Sequence, residues 1–181
     1  MYKAQQFKAP DKAEVSGVIL QAYLHNLESS MTQPILEKYG FTDEDFVADE
    51  WYPNQLFLDI ERAIFEQPSG GNALVAIGKA AVENFIPPAN METLEDAIQS
   101  LPGVYTTNQR NLPEGYGWIV EKVADNHYVF TNNTGTSNHG AYGYVWAMCN
   151  RMKAKGQHVR VAPRQGFNLD STDPAVIDIT W

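Results

Sequence analysis

Four histidines, one cysteine and several clustered carboxylates are the residues with chemistry to offer. His25, His127, His139 and His158 form no His-x-His or His-x-x-x-His pair, the spacings that set two imidazoles on one metal. Haem ligation by His127 or His139 is not expected. His139 stands apart because it precedes Gly140 at the start of a helix, where unpaired backbone N–H groups favour an anion. An imidazole there can bind a carboxylate or exchange a proton near neutral pH, or simply sit solvated in its loop. The run Gly135-Thr136-Ser137-Asn138 lacks the second glycine and the preceding buried strand of a serine nucleophile elbow. The lone Cys149 excludes an intrachain disulfide and reads as a small buried hydrophobe. Asp43, Glu44, Asp45, Asp49 and Glu50 suggest calcium, but their spacing is not that of an EF-hand loop and the turn glycine is missing. Glu92, Glu95 and Asp96 read as the wet face of a helix, and Gly70-Gly71 lacks the Gly-Lys-Ser/Thr ending of a phosphate loop.

Aromatic residues are the stronger signal. Trp51, Tyr52, Phe57, Phe85, Trp118, Tyr128, Tyr142 and Trp146 are spread over most of the expected elements. Each one alone is plain core. Together they can line an apolar cavity with a few polar handles, because Tyr and Trp carry an O–H or N–H that needs a partner when buried.

The elements that must position these residues follow from periodicity. Residues 1 to 10 read as a loose arm, and Asp11 to Leu27 as a helix with Asp11 as its N-cap. Thr32 to Tyr39 makes a short helix stopped by Gly40. Trp51-Tyr52-Pro53 opens a helix through Phe65, Asn72 caps another through Phe85, and Met91 to Leu101 makes a third, ended by Pro102-Gly103. After Trp118 the pattern changes to β. Trp118 to Val123 and His127 to Thr131 form a hairpin about Ala124-Asp125-Asn126. A polar loop then leads to a helix from about Ala141 to Lys155, stopped by Gly156. Strands follow at His158 to Val161 and near the end, at Ala175 to Trp181.

With 44% hydrophobic residues, a chain of 181 residues can bury a sizeable core, and the net charge of -9 argues against a nucleic-acid partner. No apolar run approaches the length of a membrane span, and Met1 to Pro10 is too polar for a signal peptide. A soluble, cytoplasmic protein is expected. The fold class is α+β: one domain over 1–181, with 1–103 mainly a helical layer packed on an antiparallel sheet of about four strands, and 116–181 ordered β-β-α-β-β.

That order resembles the vinyl-reductase-like domains and their wider superfamily of ligand-binding domains. The superfamily includes haem nitric-oxide-binding (H-NOX) sensors, the aromatic-sensing domains of phenol-responsive transcription activators, and small subunits of a vesicle-tethering complex. The likeness rests on Thr134-Gly135 to Gly140, Tyr142-Gly143, Lys155-Gly156, Val159-Arg160-Val161 and Ile177-Asp178-Ile179-Thr180-Trp181. The Trp51-Tyr52-Pro53 and Ala76-Ile77-Gly78 segments add to it. The resemblance implies a small-molecule or acyl-chain pocket between helices and sheet. The chain departs from the haem sensors in lacking their Tyr-x-Ser-x-Arg run. It also departs from the zinc-holding members, because Thr136-Ser137-Asn138 and Asn168-Leu169-Asp170-Ser171 stand where those carry cysteines.

The expected function is binding of a small apolar or aromatic ligand by a sensory domain, without haem, metal or other cofactor. Trp51, Tyr52, Phe57, Phe85, Trp118, Tyr128, Tyr142 and Trp146 would enclose the ligand, and His139 would fix its polar end. Two alternatives stay open. One is an enzyme on a small apolar or tetrapyrrole-like substrate, with His139 or a tyrosine as proton donor. The other is an interaction module that forms a homodimer.

Overall fold

The computed structural model describes residues 2–25, 27–83, 85–88 and 91–181. Its elements run β1 (Glu14–Ser16), α1 (Gly17–Leu24), α2 (Ser29–Tyr39), β2 (Trp51–Pro53), α3 (Asn54–Phe65), α4 (Gly70–Glu83), α5 (Leu94–Thr107), β3 (Gln109–Arg110), β4 (Gly117–Ala124), β5 (His127–Asn133), α6 (Asn138–Met152), β6 (Arg160–Pro163) and β7 (Val176–Thr180). The C-terminal unit has the expected β-β-α-β-β order. Its four strands make one antiparallel sheet in the order β4-β5-β7-β6. The fold is therefore α+β.

Period-two patterning explains the sheet. Tyr128 and Phe130 on β5 and Ile177 and Ile179 on β7 face inward, where they meet Val145, Met148 and Cys149 of α6 and Ile98 and Leu101 of α5. Burial pushes the Cys149 thiol up to about 12, so it behaves as the expected hydrophobe. A second apolar cluster lies in the helical layer, built from Val15, Leu20, Leu36, Leu56, Phe57, Ile60, Ile64 and Leu74. Helices α4 and α6 join the two parts. A Cβ on Gly78 would collide with the Gly140 carbonyl, and one on Gly143 with the Val75 carbonyl. The two backbones thus touch directly, which only glycine permits.

Several expectations need correcting. Trp51-Tyr52-Pro53 is a strand, not the start of a helix: it pairs with β1, which also pairs with β3, giving a second, three-stranded sheet in the order β2-β1-β3. The helix expected from Asp11 begins only at Gly17, because Glu14 to Ser16 are spent on that sheet. Helix α5 runs through Pro102-Gly103 to Thr107, since Leu101 and Tyr105 on its buried face hold the turn that proline weakens. Helix α6 starts earlier, at Asn138 behind the N-cap Ser137, and ends at Met152; Gly156 is left-handed (φ 83°) but lies in the turn beyond. Finally, the arm before β1 is stitched to both layers rather than loose. No helix among the described residues is long and apolar enough to cross a membrane.

Candidate functional site

The nine residues expected to line a pocket do not converge. Tyr52 and Phe57 are buried in the helical cluster, whereas Tyr128 belongs to the sheet cluster, with Phe85, Trp118 and Tyr142 packed against it. Trp51 lies under the Arg110 guanidinium (4.6 Å), and Trp146 is exposed beneath the Lys79 ammonium (4.1 Å). The polar tips of several are already spent. The Tyr52 hydroxyl accepts from the Val47 N–H at 2.8 Å and donates to the Asp45 carbonyl at 2.9 Å. The Tyr128 hydroxyl donates to Glu95, and Tyr142 donates to the Val161 carbonyl at 3.4 Å. Two hollows of 520 and 460 Å³ are open surface grooves, the larger lined by Ala9 to Glu14, Pro53, Gln55 and Asn111. None of the nine lines either groove.

What the fold does bring together is the joint where the helical layer meets the β5–α6 loop. That loop is a buried polar net. Asn132 Oδ1 accepts from Trp118 Nε1 (3.1 Å) and Thr134 Oγ1 (2.7 Å), and its Nδ2 donates to Asn138 Oδ1 (3.0 Å). Asn138 Nδ2 in turn donates to the carbonyls of Ser171 (2.9 Å) and Asp173 (3.0 Å). The polar loop before α6 is thus the frame that sets that helix on the sheet.

At the α6 N-terminus the expected anion is present, and the chain supplies it. Glu61 of α3 is 1% exposed. Its Oε2 accepts the Ser137 N–H at 2.8 Å, and its Oε1 accepts the Tyr23 hydroxyl at 2.9 Å. A carboxylate suits a helix N-terminus, but its burial costs more than these two bonds return. Burial therefore raises the Glu61 pKa to about 7, against the opposing pull of Ser137 and Tyr23. Burial and the adjacent Glu61 charge also push Tyr23 well above the usual phenol range.

His139 occupies the outer side of the same helix start. Its ring wedges against Phe65 (centroids 5.7 Å) and Gly71, where a Cβ would come within 2.7 Å of Nε2. Nε2 lies 3.3 Å from Asp170, and Nδ1 is buried without a partner. Burial lowers its pKa, outweighing the Asp170 charge, so the ring is neutral at pH 7. It packs as a wedge between α3, α4 and α6.

On the inner side of the joint stand Tyr105 and Tyr116, both buried. The Tyr116 hydroxyl accepts the Gly135 N–H at 2.6 Å. The Tyr105 hydroxyl faces Tyr116 and Thr134 without a well-formed hydrogen bond to either. Burial drives the Tyr116 phenol up to about 12 and pushes that of Tyr105 well above the usual phenol range. Asn54, on the same face of α3 as Glu61 two turns earlier, is fully buried with neither amide atom paired. Reading the sequence missed Glu61, Tyr23, Tyr105 and Tyr116. One signal was available: Glu61 interrupts the apolar stripe of α3, with Phe57 and Phe65 four residues to either side.

No family model matches the sequence, and no curated protein matches it. Solved structures do match the fold. An unliganded Fe(II) H-NOX protein from K. algicida aligns with a TM-score of 0.63 and 14% identity, over 91% of this chain and 95% of that one. The Fe(II)NO form of an H-NOX protein from S. oneidensis aligns at 0.58 and 12% identity, over 92% and 99%. A structure from a study of haem distortion in the H-NOX family gives 0.62 and 11%, over 92% and 94%. The chain thus has the fold of these H-NOX domains, the fold that the resemblance implied.

Proposed function

We propose that this chain is a sensory domain that binds a small apolar or aromatic molecule at the joint between helical layer and sheet, without haem. The observation that carries this reading is the joint itself. A Tyr105 hydroxyl with unspent hydrogen-bonding capacity and a raised Glu61 carboxyl stand there among aromatic rings. An unpaired buried polar group costs about 1–3 kcal/mol, and a ligand that pairs it recovers that cost. Ligand sites have this makeup: mostly apolar walls with a few convergent polar groups.

The solved neighbours include a chain described in an Fe(II)NO ligation state, so this scaffold carries a small ligand in at least that protein. The donor set here does not fit an iron porphyrin. His25 and His158 are exposed. His127 is held by Asp178 at 2.8 Å on the face of the sheet turned from the core, and His139 turns its accessible nitrogen toward Asp170. The Cys149 thiol is kept protonated by burial. Among the described residues no group of three or more His, Cys, Asp and Glu is placed to hold a metal ion.

Purified protein titrated with hemin is expected to show no Soret band of ligated haem. Native mass spectrometry and a thermal-shift panel of fatty acids, neutral aromatics and tetrapyrroles test the ligand. A binder at a hundred times its Kd stabilises the folded form by about 2.7 kcal/mol, a rise of roughly 5–10 °C for a chain of this size. No co-purifying molecule and no shift with any panel member would overturn the reading.

A further inference from the structure

The arm before β1 closes the joint from outside. Ala4 is 1% exposed and packs with Tyr105 and Tyr116, and the Tyr2 ring meets Tyr116 edge-on at 5.5 Å. The arm is held to three segments at once, the third being the stretch before β7, where the Gln6 N–H donates to the Thr172 carbonyl (3.0 Å) and Lys3 pairs with Asp173 (2.8 Å). On the loop side, the Ala4 N–H donates to Asn133 Oδ1 (3.0 Å) and the Phe7 N–H to the Gly135 carbonyl (2.6 Å). On the α3 side, Gln55 accepts the Ala9 N–H (2.9 Å) and donates to the Phe7 carbonyl (3.1 Å), which Arg62 also reaches at 2.6 Å.

Two features make this attachment separable from the rest of the fold. The arm's inward side chains are confined to Ala4, Gln6 and Phe7, the last packed on Phe65 (centroids 5.4 Å), so what lifting exposes is limited to these three. Phe7 is also held left-handed (φ 62°), a conformation that bulky side chains resist and that lifting would relax. Beneath it the rings of Tyr105, Tyr116 and Trp118 form a continuous surface, with Tyr105 and Trp118 centroids 5.4 Å apart. The Tyr105 hydroxyl is buried there without a hydrogen-bond partner.

We propose that residues 2–9 form a displaceable strap over a binding site for a small, flat, neutral aromatic molecule, with Tyr105, Tyr116 and Trp118 as its floor. This rests on the ligand-binding reading above and adds the ligand class and the gate. The rings select a flat apolar body by offset or edge-on stacking. The Tyr105 O–H donates to one acceptor on the ligand. Anions are disfavoured because a floor of buried rings offers a desolvated charge no counter-ion.

Gly135 supplies the test, because it is where strap, α3 and Tyr116 meet. A Cβ there would lie 2.5 Å from the Lys8 carbonyl oxygen and 2.6 Å from Leu58 Cδ1. Gly135→Ala therefore wedges the strap away without deleting any hydrogen-bonding side chain. Gln55→Ala is the milder second variant and removes two of the α3 attachments. Both are compared with the unaltered chain, using acetophenone as probe and benzoate as the charged control, with amide exchange of residues 2–9 followed in parallel. A tenfold rise in the open fraction tightens the apparent Kd by the same factor. The expected result is faster exchange at Ala4, Phe7 and Ala9 with acetophenone Kd lowered about tenfold, benzoate unbound, and the gain abolished by adding Tyr105→Phe. If strap exchange accelerates while an acetophenone Kd shared by all three proteins stays constant, the strap is refuted and the ligand-binding reading stands. Exchange of residues 2–9 only with global unfolding, in every variant, also refutes the strap. Failure of acetophenone to bind any variant, with exchange accelerated, refutes the site under the strap, and together with a blank thermal-shift panel and no co-purifying molecule it removes the ligand-binding reading as well.

Discussion

Glu61→Gln tests the energetics of the joint most sharply. In the folded chain the Glu61 carboxyl titrates at about 7, against 4.5 for an ordinary glutamate. Between those values the folded form keeps a proton that the unfolded form has released. The favourable contribution is therefore complete below about pH 4.5 and is lost as pH rises through 7, where the folded chain must carry a buried carboxylate. At 1.36 kcal/mol per unit, the swing is about 3 kcal/mol. Glutamine keeps the shape, with its oxygen accepting the Ser137 N–H and its NH2 donating to the Tyr23 oxygen once that hydroxyl turns, but it cannot ionise. Urea unfolding of both proteins from pH 4.5 to 8.5, followed by tryptophan fluorescence, should show the wild type losing about 3 kcal/mol relative to the variant over that range. Other carboxylates titrate in both proteins and cancel in the difference. Two parallel stability curves, separated by a constant offset, would show that Glu61 is not a buried titrating group and would refute the account of the joint.

The two other substitutions probe the frame. Gly143→Ala drives a methyl into the Val75 carbonyl, and it is expected to cost about 1–3 kcal/mol by separating α4 from α6, read as a fall in Tm. Asn132→Ala strips the partner from the Trp118 indole and from Thr134 and Asn138, all in a buried setting. A loss of about 2–3 kcal/mol is expected, with a change in tryptophan emission as Trp118 reorients; an unaltered Tm would show that the net is decorative.

The β-β-α-β-β unit was legible because its signals are local. Alternation in β5 and β7, the Ala124-Asp125-Asn126 turn and the amphipathic spacing of α6 all act over a few residues, and they agree with one another. Where the expectation slipped, a distant partner had overridden the local preference. Trp51-Tyr52-Pro53 has the look of a helix start, yet pairing with β1 draws it into a strand. Pro102-Gly103 has the look of a stop, yet the burial of Leu101 and Tyr105 carries α5 past it.

The site divides the same way. Periodicity marked which faces of α3, α5 and α6 turn inward, and the one signal for Glu61, an acidic residue on the apolar face of α3, was present but not read. No pattern along the chain says that Glu61 meets the Ser137 N–H, 76 residues away, or that Ala4 lies on Tyr105 and Tyr116. Local chemistry thus dictates the elements and their buried faces, because propensity and amphipathic period depend on near neighbours. Whether a buried polar group ends up paired, charged or waiting depends on which distant segment packs against it, and that is settled only when the layers close.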